Sequence, residues 1–345
     1  MVGLGPAGAS AAAVAAAAGC RVLALDRRRV IGAPVQCAEF VSAMLSFEGL
    51  PAEEITAQPI VRMRTQVERL APEPLDEFRG RMISRAAFDA ALMRKAERAG
   101  AICRTGTTVV AVRNDGSVQL AGGSLVHPRG IIGADGPRSR TGAAIGSANH
   151  EFVVARQNNV RLVQSHDATD IFLRAAFRGG YGWLFPKGDT ANLGVGVAYR
   201  ERHQLPALLT QLQDELLDSG RIALSERDHM TGGLIPVGGR VRSSGHLGTV
   251  PVLLAGDAAG LTNPVTGAGI EAAVTSGARA GAAAASYLGG APGSLEQFEE
   301  ELAELFDPAQ ARALRRRGEL ADAGDRPSCH VQRRTWIASP DYWRH

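Results

Sequence analysis

The sequence predicts an α/β protein: a layered nucleotide-binding domain around a parallel sheet, with an antiparallel β-sheet inserted into it and a helical tail behind it. Three observations carry that expectation. A glycine turn, Gly3-Leu4-Gly5-Pro6-Ala7-Gly8, opens the chain and leads into an alanine-rich helix and an apolar strand ending at Asp26. A second glycine segment, Ala255-Gly256-Asp257-Ala258-Ala259-Gly260, follows another apolar strand far downstream. Between them, from about Phe152 to Val241, the texture changes to short alternating strands. Strand, glycine turn, helix, strand is the Rossmann-like unit, and the alternating stretch suits a sheet with one face on a core.

The elements follow in order. Only Met1 and Val2 precede Gly3, so the innermost strand is nearly absent, and a truncated start is the expectation. The first helix is read over Ala7 to Ala18, and the strand Arg21 to Leu25 completes the βαβ unit. A loop from Pro34 to Glu48, a strand near Ile60 to Glu68 and a proline-rich link lead to Ser84, which suits the N-cap of a helix from Arg85 to Ala99. Asn114-Asp115-Gly116 marks a hairpin, and an apolar strand follows at Gly130 to Gly133. A helix over His203 to Ser219 interrupts the inserted sheet. After the strand Val250 to Leu254 come a helix over Gly269 to Leu288 and two charged helices, Leu295 to Leu305 and Ala309 to Ala321. This gives a discontinuous nucleotide domain (1–60, 80–150 and 248–290), a substrate domain (61–79 and 151–247) and a helical segment, 291–345.

Composition narrows the function classes. The chain has 345 residues, 45% of them apolar and 21% charged, enough for a large core. A net charge of +3 gives no electrostatic footprint for nucleic acid. The basic residues are almost all arginine, Lys95 and Lys187 being the only lysines. Cys20, Cys37, Cys103 and Cys329 form no CxxC pair and no metal spacing, so no metal is expected, and a reducing, cytoplasmic setting is. The uncharged start, Met1 to Cys20, lacks the basic region of a signal peptide and places glycines where a phosphate loop needs them. No run of about 20 apolar residues suggests a membrane span.

The chemistry lies in three segments. Gly3 permits a tight turn, Gly5 lets a pyrophosphate approach the backbone, and Gly8 lets helix and strand pack; Pro6 and Ala7 begin the helix whose N–H groups face the phosphates. Asp26, followed by Arg27, stands where an acid accepts hydrogen bonds from a ribose and disfavours a 2′-phosphate. In the second segment Gly256 and Asp257 follow a strand, and Pro264, Gly267, Gly269 and Ile270 open a helix. That helix start suits the electron-rich end of a flavin, and the aspartate suits its ribityl chain. The third is Gly133-Ala134-Asp135-Gly136-Pro137-Arg138-Ser139. One segment alone says dinucleotide; the set says FAD held along its length.

In this order the segments, with Arg85-x-x-Phe88-Asp89, resemble the glutathione-reductase-type flavoproteins of the aromatic hydroxylase branch. Pro34-Val35-Gln36-Cys37-Ala38-Glu39 and Tyr181-Gly182-Trp183-Leu184-Phe185-Pro186-Lys187 further resemble the Pro-x-x-Cys-Gly-Glu and Tyr-x-Trp-x-Phe-Pro motifs of the geranylgeranyl reductase family. The resemblance covers Gly3 to about Leu288. It implies FAD contacts at Ala7, Asp26, Cys37, Ala38, Phe40, Arg85, Val109, Asp257, Gly269 and Ile270, with Cys37 beside flavin and substrate and Tyr181 and Trp183 at the substrate cavity. Ala38 stands where the family has glycine, and Phe40 and Val41 continue the loop differently.

The resemblance implies reduction of C=C bonds in a prenyl or isoprenoid lipid by hydride from reduced FAD, with NAD(P)H or ferredoxin as electron donor and peripheral contact with the inner face of a membrane. A flavin monooxygenase acting on a hydrophobic or aromatic substrate is the alternative, since the FAD segments fit it equally. The Trp-x-Trp-x-Ile-Pro signature of halogenases is replaced by Trp183-Leu184-Phe185-Pro186, and the cysteine cluster of a quinone-reductase relative is missing. The residues leave Cys37 open between a packed thiol and a flavin contact, and Tyr181 and Trp183 between core and cavity. Arg85 reads either as a solvated first-turn residue or as a cofactor contact. Arg315-Arg316-Arg317 reads as a solvated face, with lipid headgroups as the alternative partner.

Overall fold

The computed structural model describes residues 1–223 and 230–344. The central parallel sheet runs Val250–Leu254, Ile131–Gly133, Val2, Leu23–Leu25, Ile102–Arg104, with Ser244–Leu247 antiparallel on its outer edge. Val2 occupies the middle through bridges to Gly133 and Leu25, so the strand that barely exists in sequence is the one that joins the two halves. Hydrogen bonds from Val2 N–H to Ile132 (2.9 Å), Ala134 N–H to Val2 (2.8 Å) and Gly3 N–H to Leu25 (2.8 Å) hold it there.

Successive strand residues point to opposite faces, and here they enter different cores. Ala24 packs with Ala9, Ala12 and Phe88 beneath the helices Pro6–Ala17 and Arg85–Arg98. Leu25 packs with Val109 and Val118 of a small antiparallel sheet formed by Val109–Val112, Val118–Leu120 and Leu125–Val126. Helices, parallel sheet and small sheet make three layers. The alanine content of Pro6–Ala17 has a steric cause: Ile270–Leu288 crosses it so closely that a Cβ on Gly277 would lie 2.1 Å from the Ala7 carbonyl oxygen.

Among the described residues the inserted sheet has nine strands, ordered Ile222–Ala223, Phe152–Leu162, Thr190–Ala198, Gly182–Lys187, Ala168–Leu173, Thr56–Val67, Glu73–Ile83, Phe40–Ser42, with Thr231–Pro236 also paired to Phe152–Leu162. It is antiparallel except where Ala168–Leu173 meets Thr56–Val67. The expected proline-rich link after the strand near Ile60 is instead the strand Glu73–Ile83; Pro74 costs little because this strand pairs on one side only near that end. The hairpin therefore runs past both ends of segment 61–79. Helix Leu205–Asp218 covers one face, burying Leu205, Leu208, Leu209, Leu212 and Leu216 against Leu184 and Leu193. Trp183 and Phe185, one step either side of Leu184, point to the other face and pack with Met63, Ile171 and Trp336.

The two charged helices expected around Pro308 are one helix, Ser294–Asp322. Arg240 bridges the proline: its guanidinium bonds Glu299 (2.8 Å) before it and Asp307 (2.8 Å, twice) beside it, and its N–H donates to Gln310 (2.7 Å). Leu295, Phe298 and Leu302 of this helix lie in the core of the nucleotide domain, so the segment after residue 291 is no appendage.

Candidate active site

The glycine turn is shaped by collision. Gly3 has φ 95°, and a Cβ there would lie 2.2 Å from the Ala134 carbonyl oxygen. On Gly8 it would lie 1.9 Å from the Gly3 carbonyl oxygen, whereas Gly5 has nothing within 4 Å. The first and third glycines serve packing, and the second faces open space. The first intrahelical bond here is Ala9 N–H to Gly5 (2.9 Å), which leaves the N–H groups of Ala7 and Gly8 without helical partners at the positive end of the helix dipole.

Apart from Gly8 and Gly256, every residue expected to bind cofactor or substrate lines one cavity of about 1240 Å³. Small-molecule sites usually measure about 300–1,000 Å³, so there is room for a cofactor and a second molecule. Gly8 and Gly256 lie beneath the wall; a Cβ on Gly256 (φ 62°) would sit 3.0 Å from the Ala7 Cβ. Gly5, Pro6, Ala7, Asp26 and Arg27 lie at one end, with Val109 and Gly136.

The acids divide by role. Asp26 accepts from the N–H groups of Leu4 (2.8 Å) and Arg28 (2.8 Å), so it clamps the glycine turn as well as facing the cavity. Asp135 is committed to the start of helix Arg140–Ala144, accepting from Ser139 Oγ (2.5 Å) and from the N–H groups of Arg140 (2.9 Å) and Thr141 (3.1 Å). Asp257 is the least engaged: its carboxylate takes one side-chain bond, from Thr262 (3.1 Å). Burial pushes its pKa up, against the Thr262 bond and the Arg85 charge. It lies beside Gly269, where helix Ile270–Leu288 begins with no side-chain cap. A half-buried, under-bonded carboxylate next to an uncapped helix start suits the hydroxyls and electron-rich ring of a flavin, and together with the open approach at Gly5 the residues present fit FAD.

Arg85 is not a solvated residue. Its guanidinium makes a two-pronged bond to Asp89 (3.0 Å each) and lies against Cys37. Burial opposes the charge, but Asp89 and Cys37 more than offset it and raise the pKa. Ser84 caps the helix that carries it, accepting from Ala87 N–H (3.3 Å).

An aromatic row crosses the inserted sheet on the cavity side. Ring centroids lie 4.8 Å apart for Trp336 and Tyr181, 5.8 Å for Tyr181 and Trp183, and 6.4 Å for Trp183 and Phe185. Phe40 continues it at 6.0 Å from Phe185 and stacks on Phe78 at 5.4 Å. Core and cavity are the alternatives for Tyr181 and Trp183, and both hold: Trp183 is buried and Tyr181 partly buried, and both side chains form the wall. The Tyr181 hydroxyl donates to the Thr266 carbonyl (2.6 Å), tying the sheet to the second glycine segment, and burial pushes its pKa up.

Several site residues carried no role in the sequence. Glu39, four per cent exposed, joins the Cys37 loop to Lys187 of the Trp183 strand (2.7 Å). A signal existed, since Lys187 is one of only two lysines in a chain rich in arginine. Trp336 and Ile337 close the apolar end of the cavity from the tail. Arg316 and Arg317 are corrected: neither is a solvated face nor open to headgroups. Arg317 donates to the Gly179 (2.7 Å) and Pro264 (3.3 Å) carbonyls, and Arg316 holds the carbonyls of Asp341 (2.5 Å), Tyr342 (3.2 Å) and Arg344 (2.6 Å). Backbone carbonyls far apart in sequence cannot be foreseen as partners. Among the described residues no three His, Cys, Asp or Glu side chains form a metal cluster, and no helix is long and apolar enough to cross a membrane.

These features define an FAD-dependent oxidoreductase, and the family model described as FAD binding domain matches residues 62–307. The chain is 36% identical over 311 residues to digeranylgeranylglycerophospholipid reductase 2 of Methanopyrus kandleri, covering 84% of this chain and 76% of that one. It is 32% identical over 340 residues to the digeranylgeranylglycerophospholipid reductase of Methanothrix thermoacetophila, covering 91% and 85%. The chain belongs to the family of these reductases. In fold it is similar to a geranylgeranyl bacteriochlorophyll reductase-like protein of Thermoplasma acidophilum (TM-score 0.80, 24% identity, 98% of this chain and 90% of that one). A probable FAD-dependent monooxygenase of Pseudomonas aeruginosa shares the fold as well (TM-score 0.69, 16% identity, 96% of each chain).

Proposed function

We propose that this FAD-dependent oxidoreductase saturates C=C bonds in the prenyl chains of an isoprenoid lipid. The observation that carries the reading is the continuity of one cavity from the glycine turn, past Cys37 and Arg85, into the aromatic row that ends at Trp336. Reduced FAD supplies the hydride and its electron pair. The protein's own residues hold, orient and exclude water. The Ala7 N–H beside the open approach at Gly5 would receive the pyrophosphate, Asp26 the ribose, Asp257 the ribityl hydroxyls, and the start of Ile270–Leu288 the electron-rich ring edge. An isolated alkene offers no charge to grip, so positioning in an apolar channel is the main catalytic resource.

Saturation also needs a proton on the second carbon. The Tyr181 hydroxyl is engaged by Thr266, and we assign delivery of that proton to the Cys37 side of the wall, where Arg85 lies beside the sulfur. Electrons come from NAD(P)H or ferredoxin docking from outside. A prenyl lipid is drawn from a membrane, so we place the protein in the cytoplasm with peripheral contact at the inner face.

The test is anaerobic. Protein reduced with dithionite and mixed with a digeranylgeranyl glycerophospholipid should reoxidise its flavin while the lipid gains one H2 for each bond saturated. Reoxidation that requires oxygen and inserts an oxygen atom would establish the monooxygenase reading instead.

A further inference from the structure

The geometry points to Glu39 and Lys187 as a positioning pair that locks the Cys37 loop onto the inserted sheet. For its consequence in turnover this rests on the reductase reading above. The loop and the sheet come from different parts of the chain, and beside the packing of Phe40 on Phe78 and Phe185 the contacts between them are polar and at least partly buried. Glu39 Oε2 accepts from Lys187 Nζ (2.7 Å) and Asn192 Nδ2 (3.1 Å), and Oε1 accepts from Arg85 N–H (2.9 Å). The same carboxylate therefore touches the sheet that forms the aromatic wall and the first residue of the helix bearing Arg85. The loop backbone is held likewise: Gln157 donates to the Cys37 carbonyl (2.8 Å), Asn192 to the Ala38 carbonyl (3.1 Å), and Glu39 N–H donates to Cys37 Sγ (3.2 Å).

The backbone shows that the loop does not rest this way unaided. Glu39 has φ 66°, in the left-handed region where glycine is at ease and a glutamate is not. Its surroundings must impose that conformation: the carboxylate's three partners, together with the Ile83 N–H that donates to the Glu39 carbonyl (2.8 Å). Lys187 is the central one. Removing the cation leaves a buried carboxylate without its counter-charge, the costly way to break a buried pair. The loop would swing out to rehydrate Glu39, carrying the Cys37 thiol away from Arg85.

The experiment reads the loop directly. Iodoacetamide alkylation of Cys37, followed by peptide mass spectrometry in protein with and without FAD, compares wild type with Lys187→Met, Lys187→Arg and Glu39→Gln. Expected is a rise of roughly tenfold or more in the Cys37 rate for Lys187→Met, with Cys20, Cys103 and Cys329 unchanged and Lys187→Arg close to wild type. In turnover, Lys187→Met should lower kcat more than it raises KM. Should Lys187→Met not fold, Glu39→Gln, which keeps the volume but replaces one accepting oxygen with an amide nitrogen, must show the same rise. Cys37 alkylated at the wild-type rate in the folded variants overturns the proposal. A raised rate with no lipid reduction in wild type overturns the reductase reading and leaves the lock standing.

Discussion

Asp257 shows how one side chain connects burial to cofactor and pH. In the cofactor-free protein its raised pKa means that the folded state binds a proton more readily than the unfolded state. The sign follows: stability falls as pH climbs from the ordinary carboxylate value of 3.8 through the raised folded value. Asp257→Asn, neutral throughout, escapes that fall. Its melting temperature without FAD should exceed wild type at pH 7, with the gap closing as pH approaches 3.8. FAD affinity should meanwhile drop about tenfold or more, from loss of a charged hydrogen bond of ~1.5–3 kcal/mol. Thermal melts across pH and FAD titration check both, and a variant that binds FAD like wild type would remove Asp257 from the site. The carboxylate was legible in sequence because it follows a strand and precedes a helix. Its lack of partners was not, since that depends on what the fold fails to bring near it.

The helix start at Pro6 separates two duties that a glycine motif merges. Gly8 is held against the Gly3 carbonyl, while Gly5 opens on the cavity. Gly8→Ala should overpack the turn and cost ~1–3 kcal/mol, lowering the melting temperature. Gly5→Ala should melt like wild type and lose FAD. Calorimetry paired with flavin absorbance separates them, and equal effects on both readouts would refute the division. Helix Pro6–Ala17 and the cap at Ser84 were readable from local pattern. The unbroken helix Ser294–Asp322 was not, because Arg240, distant in sequence, spans the proline.

Across the whole molecule the tail completes the site it seemed to trail behind. Trp336, four per cent exposed, packs on Tyr181 and closes the apolar end of the cavity. Trp336→Ala should cost ~3–5 kcal/mol and lower the melting temperature while FAD still binds, because the glycine turn lies at the other end. A melting temperature unchanged from wild type would mean that the wall stands without it. Two large pieces, layered nucleotide domain and antiparallel insert, meet along the cavity, and the polar contacts between distant segments there include Lys187 with Glu39, Gln157 with Cys37, Tyr181 with Thr266, and Arg317 with Pro264 and Gly179.

The sequence by itself determined the cofactor and the layered fold. Glycine turns, caps and strand alternation are local, set by neighbours a few positions away, so Gly3 to Asp26 and Ala255 to Ile270 could be read before any folding. The tertiary structure alone decided which groups are spent and which are left over. Asp135 is consumed by a helix start, Asp257 is spared, Arg316 and Arg317 are turned inward, and Glu39 is held to Lys187 from the far side of the sequence. Hydrogen bonding and burial depend on approach in space, and residues far apart in the chain carry no local pattern that announces their meeting.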